Sequence, residues 1–434
     1  MATEAFSVAS APLRGLVAVP GSKSVSNRAL VCAALASGES VLHGLADGDD
    51  TSNMLSGLRL LGARVTAASG AQVPVRVQGP IDTTATEAVL IDAGLAGTTS
   101  RFLTAVGALR RGPTTITGGP GLRARPMGEL HRILRELGFV VQAEREGFLP
   151  VIVHTAGRDA DRSSSRLAHQ VRVSGEVSSQ FISAVMLIAP LIGGVRLQLA
   201  GPVVSRGYLD MTAEVMQAFG SEVEVRDDEI AVSAHPFTPI TYEVDADWSS
   251  ASYPFAAAAI VGGEMTVPRL RRNESQPEES FTEVLLAMGC SVRSTDDGVT
   301  VGRAPTTSLR GVDVDMSTMS DLVPTVAAIA ACASTPSRIR GVGFIRAKES
   351  DRLGDLAHEL SACGVAVEVE SDGLSIEPSP LRPAVLNSHD DHRLAMSLAL
   401  LSLRCEGIRI SDPEVVSKSW PTYWQAMRAG LAVA

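Results

Sequence analysis

The chain has 434 residues, which is enough for two domains of about 200 residues each. Apolar residues make up 45% of it and aromatic residues only 4%, a composition that fills two cores but offers little surface for stacking nucleobases. The net charge of -10 would repel nucleic acids and anionic membranes, so we expect neither as a partner, although a local group of arginines could still bind a small anion.

The cysteines and the amino terminus indicate the compartment. The five cysteines are widely spaced and never form a CxxC pair, as expected for reduced thiols. The first residues, MATEAFSVAS, lack the basic region and apolar core of a signal peptide, and no apolar run approaches the roughly 18 residues that span a bilayer. We therefore expect a soluble, cytoplasmic protein.

One pattern recurs six times: a polar start rich in Ser, Thr or Asp, followed by an Ala-rich apolar segment. The copies lie roughly 70 to 80 residues apart, which predicts six copies of one structural unit. In chain order they are GSKSVSNRALVCAALASG from Gly21, AGLAGTTSRFLTAVGALRRG from Ala93, GEVSSQFISAVMLIAPLIGG from Gly175, DADWSSASYPFAAAAIVGG from Asp245, STMSDLVPTVAAIAACAS from Ser317 and SHDDHRLAMSLALLSLRCEG from Ser388.

A second, amphipathic helix pattern follows the apolar segments, with apolar residues at i, i+3, i+4 and i+7 and usually a closing Gly. Examples are DTSNMLSGLRLLGARV, ARPMGELHRILRELGFVV, YLDMTAEVMQAFGSEVEV, SFTEVLLAMGCSVR and DRLGDLAHELSACGVAVEV. Alternating runs such as EVEVRDDEIAVSA come next and are typical of hairpins. Each unit is therefore predicted to be an α/β module with two helices and several short strands.

The two ends of the chain indicate the domain boundaries. The sixth copy ends directly after its second helix, at SWPTYWQAMRAGLAVA, and so lacks the closing strands of the others. A β-like segment, residues 5–19, precedes the first copy. We expect the amino terminus to pair into the last domain, which gives one domain of residues 21–243 and another of residues 1–20 and 244–434.

The repeated helix starts are candidate anion sites. Their small hydroxyl or acidic residues commonly cap a helix, but the same free amides, at the positive end of the helix dipole, can bind a phosphate or carboxylate. Cations accompany them: Lys23 and Arg28 in PGSKSVSNR, Arg123 and Arg125 ahead of a helix predicted to start near Pro126, Arg346, Lys348 and Arg352 in IRAKESDRLGDL, Arg393 in NSHDDHRLAM, and Lys418 in VSKSWP. Each could equally be a solvated charge or part of a helix-end salt bridge. Recurrence at equivalent places favours anion binding.

Two other kinds of site are disfavoured by spacing. A Walker A loop needs Gly, four residues and then Gly-Lys-Ser/Thr, whereas Ser22 separates Gly21 from Lys23 here, which argues against a nucleoside triphosphatase. The histidines and aspartates of SHDDHR are interpreted as a helix start and not as metal ligands, so we expect no metal.

An ordered set of motifs from residue 21 to about 421 closely resembles the enolpyruvyl transferase family, specifically its shikimate-pathway member: GSKSVSNR, LAGTTSRF, RARPM, VSSQF, SRGYLD, DADWSSASY, MSDLVPT, RAKESDRL, DDHRLAM and VSKSWP. The resemblance implies a two-domain inside-out α/β barrel of six βαβαββ repeats, three per domain, with the active site in the interdomain cleft. It implies transfer of the enolpyruvyl group of phosphoenolpyruvate to the 5-hydroxyl of shikimate 3-phosphate through a tetrahedral intermediate, with release of phosphate, in aromatic amino acid and chorismate biosynthesis.

The resemblance also implies the site residues. Shikimate 3-phosphate would contact Lys23, Ser24, Arg28, Ser178, Ser179, Gln180, Ser205, Tyr208, Asp321 and Lys348. Phosphoenolpyruvate would contact Lys23, Gly97, Arg125, Gln180, Arg352, His392, Arg393 and Lys418, since guanidinium groups suit both its phosphate and its carboxylate.

The catalytic roles follow from the same resemblance. Asp321 would accept the hydroxyl proton, Glu349 would exchange a proton with the methylene carbon, and Lys23 would stabilise negative charge. No metal or organic cofactor is implied, and we expect a monomer whose phosphoenolpyruvate site is a target of glyphosate.

The chain departs from the family pattern at Leu95 and Phe344, where asparagine is common, and Phe344 is left out of the site. Two alternative functions remain. The relative that transfers enolpyruvyl to UDP-N-acetylglucosamine shares fold and reaction, but it usually has a cysteine before its ARP motif, where this chain reads GGPGLRARP. A non-catalytic, anion-binding repeat protein would also have six such helix starts.

Overall fold

The computed structural model describes residues 2–66, 73–156, 169–174, 178–201, 203, 205–272 and 276–432. The chain divides into two compact units, each with its own hydrophobic core. Ser22–Val244 form the first, called the central unit. Met1–Gly21 and Asp245–Ala434 together form the second, called the terminal unit.

Helices follow the repeated sequence pattern. Among the described residues they are α1 (Lys23–Leu35), α2 (Asp49–Leu60), α3 (Gly97–Ala108), α4 (Pro120–Arg123), α5 (Gly128–Glu136), α6 (Ser179–Ile188), α7 (Gly207–Ala218), α8 (Trp248–Val261), α9 (Phe281–Ala287), α10 (Val323–Ala330), α11 (Gly354–Ala362), α12 (His392–Ala399) and α13 (Tyr423–Leu431). Short 3-10 turns lie at Ala189–Ile192, Pro277–Ser280, Ser320–Leu322, Gly343–Ala347, Leu400–Leu403 and Pro413–Lys418.

The strands are short. In chain order they are β1 (Thr3–Glu4), β2 (Leu13–Leu16), β3 (Glu39–His43), β4 (Arg64–Thr66), β5 (Val75–Gln78), β6 (Val89–Asp92), β7 (Thr114–Thr117), β8 (Phe139–Ala143), β9 (Val151–Thr155), β10 (His169–Ser174), β11 (Val195–Ala200), β12 (Val223–Val225), β13 (Glu229–Val232), β14 (Thr241–Glu243), β15 (Gly263–Pro268), β16 (Ser291–Thr295), β17 (Gly298–Arg303), β18 (Asp313–Asp315), β19 (Ser337–Arg340), β20 (Ala366–Glu370), β21 (Gly373–Glu377), β22 (Val385–Leu386) and β23 (Arg409–Ser411).

One plan recurs in the four-stranded sheets. In the second repeat β6 and β7 are parallel with α3 between them, and after α5 the hairpin β8–β9 adds to β7 in antiparallel pairing. The orders β10-β11-β13-β12 and β18-β19-β21-β20 repeat this arrangement. The observed order of strands and helices is the predicted βαβαββ unit, and the mixed α/β fold class is confirmed. The hairpin predicted in EVEVRDDEIAVSA is β12–β13.

Distant segments supply a strand to three other sheets. β14 pairs in parallel with β3 and completes the sheet of the first repeat, β14-β3-β5-β4. The amino-terminal strand β2 pairs in parallel with β15 in the sheet β16-β17-β15-β2. β1 pairs antiparallel to β23 in the sheet β1-β23-β22. The amino-terminal strands therefore join the fourth and sixth repeats, and of the two only β2 lies in the predicted β-like segment of residues 5–19.

The Ala-rich segments are the buried helices. In the central unit α1, α3 and α6 pack against one another, and in the terminal unit α10 packs against α8 and α12. In α8 only Val261 is not buried, because its run of small alanine side chains lets neighbouring elements approach from several sides. None of the helices in the described part of the chain is both long and apolar enough to cross a bilayer.

The segment around Pro126 differs from the prediction. The sequence suggested a helix starting near this proline, but α5 begins two residues later, at Gly128, with Met127 as its cap residue. The proline that occupies a first-turn position is Pro120, in α4. Pro126 disfavours helical backbone at Arg125, which leaves a short break between the two helices.

Candidate active site

Three cations surround the carboxylate of Asp321, which lies in the 3-10 turn before α10. Arg352 Nη1 donates a hydrogen bond to Asp321 Oδ1 at 2.8 Å, and Arg393 Nη2 donates to Oδ2 at 2.8 Å. Lys348 Nζ lies 3.7 Å from Oδ1. Each carboxylate oxygen therefore contacts a guanidinium group, an arrangement that fixes the Asp321 side chain.

Arg352 connects Asp321 to two further carboxylates, and its side chain is only 1% exposed. Its Nε donates to Asp391 Oδ2 at 2.7 Å and its Nη2 to Glu349 Oε2 at 2.8 Å. The other oxygen of Glu349 accepts a hydrogen bond from Lys418 Nζ at 2.8 Å. We call these residues the carboxylate–cation cluster: Asp321, Lys348, Glu349, Arg352, Asp391, Arg393 and Lys418.

The charges of the cluster favour an added anion. Three carboxylates (Asp321, Glu349, Asp391) and four cations (Lys348, Arg352, Arg393, Lys418) give a sum of one positive charge. Burial alone would raise the pKa of Asp321, but the charges of Arg393, Lys348 and Arg352 outweigh burial and hold that pKa well below its ordinary value of 3.8. Asp321 is therefore ionised in the free protein.

The start of α12 orients Arg393. His389 and Asp390 adopt left-handed backbone with φ of 51° and 55°, and Asp391 then caps the helix by accepting the Arg393 backbone N–H at 2.9 Å. Asp391 thus binds both the backbone of Arg393 and the guanidinium of Arg352. The prediction that SHDDHR is a helix start is confirmed, since α12 begins at His392, a residue with 1% exposure.

In the central unit, Lys23 is the first residue of α1 and pairs with a carboxylate that the motif search missed. Its Nζ lies 3.0 Å from Asp50 Oδ2, and Asp50 is buried in the first turn of α2. Thr99 Oγ1 donates to the Asp50 carbonyl at 2.9 Å, which ties this turn to α3. The starts of three helices therefore meet around Lys23.

Arg28 contacts groups of three helices instead of solvent. Its Nε donates to Thr212 Oγ1 at 2.7 Å and its Nη2 to Ser183 Oγ at 3.3 Å and to the Tyr208 carbonyl at 3.2 Å. Its Nη1 donates to the Ser24 carbonyl at 2.8 Å. The Arg28 side chain therefore links α1, α6 and α7 in this structure.

Gly97 lies beneath two guanidinium groups at the start of α3. A Cβ added at Gly97 would lie 2.7 Å from Arg101 Nη1 and 3.0 Å from Arg125 Nη1. Arg101 also donates to Gln180 Oε1 and lies over the Phe181 ring at 5.2 Å. The α3 start has no side-chain cap, so its amides and two arginines form a second cationic group.

The remaining predicted contacts lie at the starts of α6 and α7. Ser178 caps α6 by accepting the Gln180 N–H at 3.4 Å, and Ser179 is buried beside it. Ser205 adopts left-handed backbone with φ of 57°, and its carbonyl accepts the Tyr208 N–H at 3.2 Å. The third repeat begins at Gly175–Val177 in sequence, and these three residues lie outside the described part of the chain.

The structure brings six predicted residues of the terminal unit together, whereas those of the central unit lie in separate groups, and it adds three further residues. Asp321, Lys348, Glu349, Arg352, Arg393 and Lys418 join in one cluster, whereas Lys23 and Arg28 contact different groups. Sequence reasoning missed Asp50, Arg101 and Asp391. Arg101 and Asp391 lie inside the quoted motifs LAGTTSRF and DDHRLAM, so motif membership was the available signal, and Asp50 had none.

Comparison with known proteins identifies the family. The sequence model of EPSP synthase, described as 3-phosphoshikimate 1-carboxyvinyltransferase, matches residues 8–427. The chain belongs to the EPSP synthase family. The match covers five repeats completely and nearly all of the sixth, so the EPSP synthase family assignment applies to both units.

Curated relatives and solved structures agree with this EPSP synthase assignment. The 3-phosphoshikimate 1-carboxyvinyltransferase of Methanosphaerula palustris is 39% identical over 95% of each chain, and that of Trichormus variabilis is 37% identical over 98% of each. The EPSP synthase structure from Acinetobacter baumannii superposes with a TM-score of 0.78 at 26% identity over 98% of each chain. The enolpyruvyl transferase NikO of Streptomyces tendae shares the fold, with a TM-score of 0.73 at 18% identity over 96% of this chain.

Proposed function

We propose that the protein transfers the enolpyruvyl group of phosphoenolpyruvate to the 5-hydroxyl of shikimate 3-phosphate, as its family membership indicates. The observation that supports specific residue roles is the carboxylate–cation cluster, where two carboxylates suited to proton transfer share cations suited to an anionic substrate. Asp321 and Glu349 both bind Arg352, at 2.8 Å each. The proposal therefore assigns acid–base chemistry and anion binding to the same side chains.

Two proton transfers accompany the addition step, and the carbon proton is removed again when phosphate leaves. The hydroxyl oxygen loses a proton and bonds to the phosphate-bearing carbon of phosphoenolpyruvate, while the methylene carbon gains a proton. The tetrahedral product then loses inorganic phosphate and one methyl proton. We assign the hydroxyl proton to Asp321 and the carbon proton to Glu349, because two carboxylates with opposite roles satisfy both steps. Lys348 would stabilise the developing alkoxide and Lys23 the phosphate-side charge.

The free protein holds Asp321 in a form that is a poor base. Its cations keep the pKa low, and a carboxylate that binds protons weakly accepts them weakly. The phosphate and carboxylate of phosphoenolpyruvate would compete for Arg352, Arg393 and Lys418. We infer that this competition weakens the hold of the cations on Asp321, so that substrate binding itself raises the proton affinity of this carboxylate.

Further contacts are proposed for both substrates. Lys23, Gly97, Arg125 and Gln180 are proposed for phosphoenolpyruvate, since Gly97 leaves room below the Arg125 guanidinium. His392, Arg352, Arg393 and Lys418 are proposed for the same substrate. Shikimate 3-phosphate is assigned to Lys23, Ser24, Arg28, Ser178, Ser179, Gln180, Ser205, Tyr208, Asp321 and Lys348. Arg28 would take part while its guanidinium bonds Ser24, Ser183, Tyr208 and Thr212 in the free protein.

The deciding experiment measures phosphate release from phosphoenolpyruvate with two acceptors, shikimate 3-phosphate and UDP-N-acetylglucosamine, with chelator present. Release only with shikimate 3-phosphate is the expected result. Release only with the nucleotide sugar would assign the chain to the other transferase, and release with neither would support a non-catalytic anion-binding protein. Activity that requires added metal would contradict the proposal that side chains alone transfer the protons.

Oligomeric state and location complete the proposal. We propose a cytoplasmic location, because all five cysteines are free thiols. We propose a monomer, because the large apolar side chains exposed among the described residues, such as Leu16, Leu90 and Val385, come from separate strands. Light scattering of the purified protein at working concentration should give a mass near 45.4 kDa. A mass twice as large would overturn the monomer.

A further inference from the structure

A pocket of about 480 Å³ opens in the terminal unit where several elements end. It is lined by residues that directly follow α10, β21 and the 3-10 turn Leu400–Leu403. Asp321 precedes the start of α10. Arg393 lies in the first turn of α12, which runs directly into the turn Leu400–Leu403, so both residues lie at the opposite ends of these elements from the pocket. The pocket is therefore separate from the carboxylate–cation cluster.

Two thiols line this pocket. Cys332 and Cys405 are partly exposed, whereas Cys32, Cys290 and Cys363 are buried. Although part of Cys332 is accessible, the atoms packed around its thiol desolvate it and raise its pKa to about 12, so this thiol is a poor nucleophile at neutral pH. Cys405 lies in an exposed stretch after the turn, and its Sγ makes a weak hydrogen bond to the carbonyl of the next residue at 3.6 Å. Cys405 is therefore the more reactive candidate.

Positive charge accompanies the two thiols. Arg404 lines the pocket, and its Nη1 donates to the Ile260 carbonyl at 3.0 Å, which restrains the guanidinium. Arg303 is buried nearby, and the charges of both arginines act on the Cys332 thiol. Among the described residues that line the pocket there is no carboxylate, and the adjacent Glu406 is not part of the lining. The pocket therefore favours an anionic ligand.

We propose that Cys405 is a modification site that forms a mixed disulfide with small anionic disulfides, which the pocket binds through Arg404. The Cys405 thiolate attacks one sulfur of R–S–S–R, the new Cys405–S–S–R bond forms, and the old S–S bond breaks. The leaving RS⁻ takes up the proton that Cys405 lost, so Cys405 is oxidised and the leaving sulfur is reduced. This proposal does not depend on the function proposed above.

The first test compares three disulfides on the full-length native protein: oxidised glutathione (anionic), 2-hydroxyethyl disulfide (neutral) and cystamine (cationic). Peptide mapping by mass spectrometry should place the first glutathione adduct on Cys405. The rate of adduct formation with each disulfide is divided by its rate with a small reference thiol. At low salt this normalised rate should be at least about fivefold higher for oxidised glutathione than for cystamine, and the difference should shrink as salt rises. Equal or reversed preference, or a first adduct on another cysteine, would overturn the proposal.

Two variants and a matched control sharpen the test. Cys405→Ser should abolish the early adduct, while Cys332→Ser, which removes the other thiol of the pocket, should retain it. Arg404→Gln should remove the preference for the anionic disulfide. Arg404 also bonds the Ile260 carbonyl, so the unfolding curve of the Arg404→Gln variant is recorded. If this variant fails to fold, the comparison of the three disulfides on the native protein decides whether the pocket prefers an anionic disulfide. A preference that persists in a folded Arg404→Gln variant would contradict the assignment of Arg404.

Discussion

Arg352 and Arg393 bind Asp321, and both are proposed to bind phosphoenolpyruvate, which predicts that removing the Asp321 carboxylate separates substrate binding from turnover. Asp321→Asn should lower kcat by roughly 10²- to 10⁴-fold, because the proposed proton acceptor is lost. Phosphoenolpyruvate binding should be unchanged or tighter, since Arg352 and Arg393 lose a bound carboxylate. Steady-state kinetics and calorimetry with phosphoenolpyruvate measure the two effects separately.

Asp313→Asn is a matched control for that change. Asp313 is 61% exposed on β18 and pairs with Arg340 at 2.6 Å, so the substitution removes an ion pair outside the cluster. Its kinetics should be those of the wild type. Weaker phosphoenolpyruvate binding in Asp321→Asn, with kcat retained and circular dichroism unchanged, would show that Asp321 organises the arginines and does not transfer a proton.

His131 in α5 predicts acid sensitivity of the central unit. Its ring is fully buried, neither ring nitrogen has a hydrogen-bond partner in the described structure, and burial lowers its pKa from 6.5 to about 4. Because the folded pKa is depressed, the fold favours neutral imidazole, and stability present above pH 6.5 is lost as pH falls towards 4. The loss should reach about 3 kcal/mol by pH 4.

His131→Phe should remove this contribution. Urea unfolding followed by circular dichroism at pH 7.5 and pH 5 should show a smaller pH-dependent loss for the variant than for the wild type. His235→Phe, at an exposed position, should leave the wild-type difference intact. An identical pH dependence in His131→Phe and the wild type would show that the pKa of His131 is the same in the folded and unfolded states, which would contradict the prediction.

At the scale of elements, the start of α3 predicts an effect of a single methyl group on anion binding. Gly97→Ala would place a Cβ 2.7 Å from Arg101 Nη1 and 3.0 Å from Arg125 Nη1, so both flexible guanidinium groups must shift. We expect phosphoenolpyruvate and glyphosate to bind about tenfold or more weakly, with unfolding free energy changed by less than about 1 kcal/mol. Calorimetry and urea unfolding measure these effects.

Gly121→Ala is the matched control in the neighbouring helix α4. A Cβ there would meet only Leu95 Cδ2 at 3.7 Å, an ordinary van der Waals contact. This variant should bind phosphoenolpyruvate as the wild type does. If Gly97→Ala also binds normally, the α3 start does not lie against the ligand.

Helix starts could be predicted from the sequence because capping residues, apolar period and closing glycine are all local signals. Contacts between the helix starts could not be predicted, because they join segments that are distant in the sequence. Arg101 bonds Gln180 across 79 residues, and Arg352 bonds Asp391 across 39. Asp50 resembles any acidic residue in a first turn, and only the folded chain brings it to Lys23. Family motifs supplied the candidate residues, whereas the ion pairs that lower the pKa of Asp321 could be found only in the folded structure.

For the whole molecule, repetition made the fold predictable, because six similar segments imply six similar units. The missing strands of the sixth repeat pointed to the amino terminus, from which β1 pairs with β23 of the sixth repeat and β2 with β15 of the fourth. The register in which the strands pair could not be predicted. Strand β1, for example, has only two residues, too few for an alternation of apolar and polar side chains. Strand β14 was also missed, because the short segment Thr241–Glu243 resembles the hairpins before it while pairing with the distant β3.

The amino-terminal segment should stabilise the terminal unit measurably, and Phe6 provides the test. Its ring packs against Tyr423 at 5.9 Å and Trp424 at 5.3 Å, and its N–H donates to Ser402 Oγ at 2.9 Å. Phe6→Ala should lower the free energy of unfolding by about 3 kcal/mol and the midpoint of thermal unfolding by roughly 5 to 10 °C. Val8→Ala, at a position that is 44% exposed, should change it by less than about 2 °C.

Tryptophan fluorescence isolates this effect, because all three tryptophans of the chain, Trp248, Trp420 and Trp424, lie in the terminal unit. Removing Phe6 also changes the surroundings of Trp424, so the midpoint of the transition is compared and not its amplitude. A lowered fluorescence midpoint in Phe6→Ala alone would show that the first residues are an integral part of a unit whose remaining sequence begins only at Asp245. An unchanged midpoint would mean that α13 and β23 hold the sixth repeat together without them.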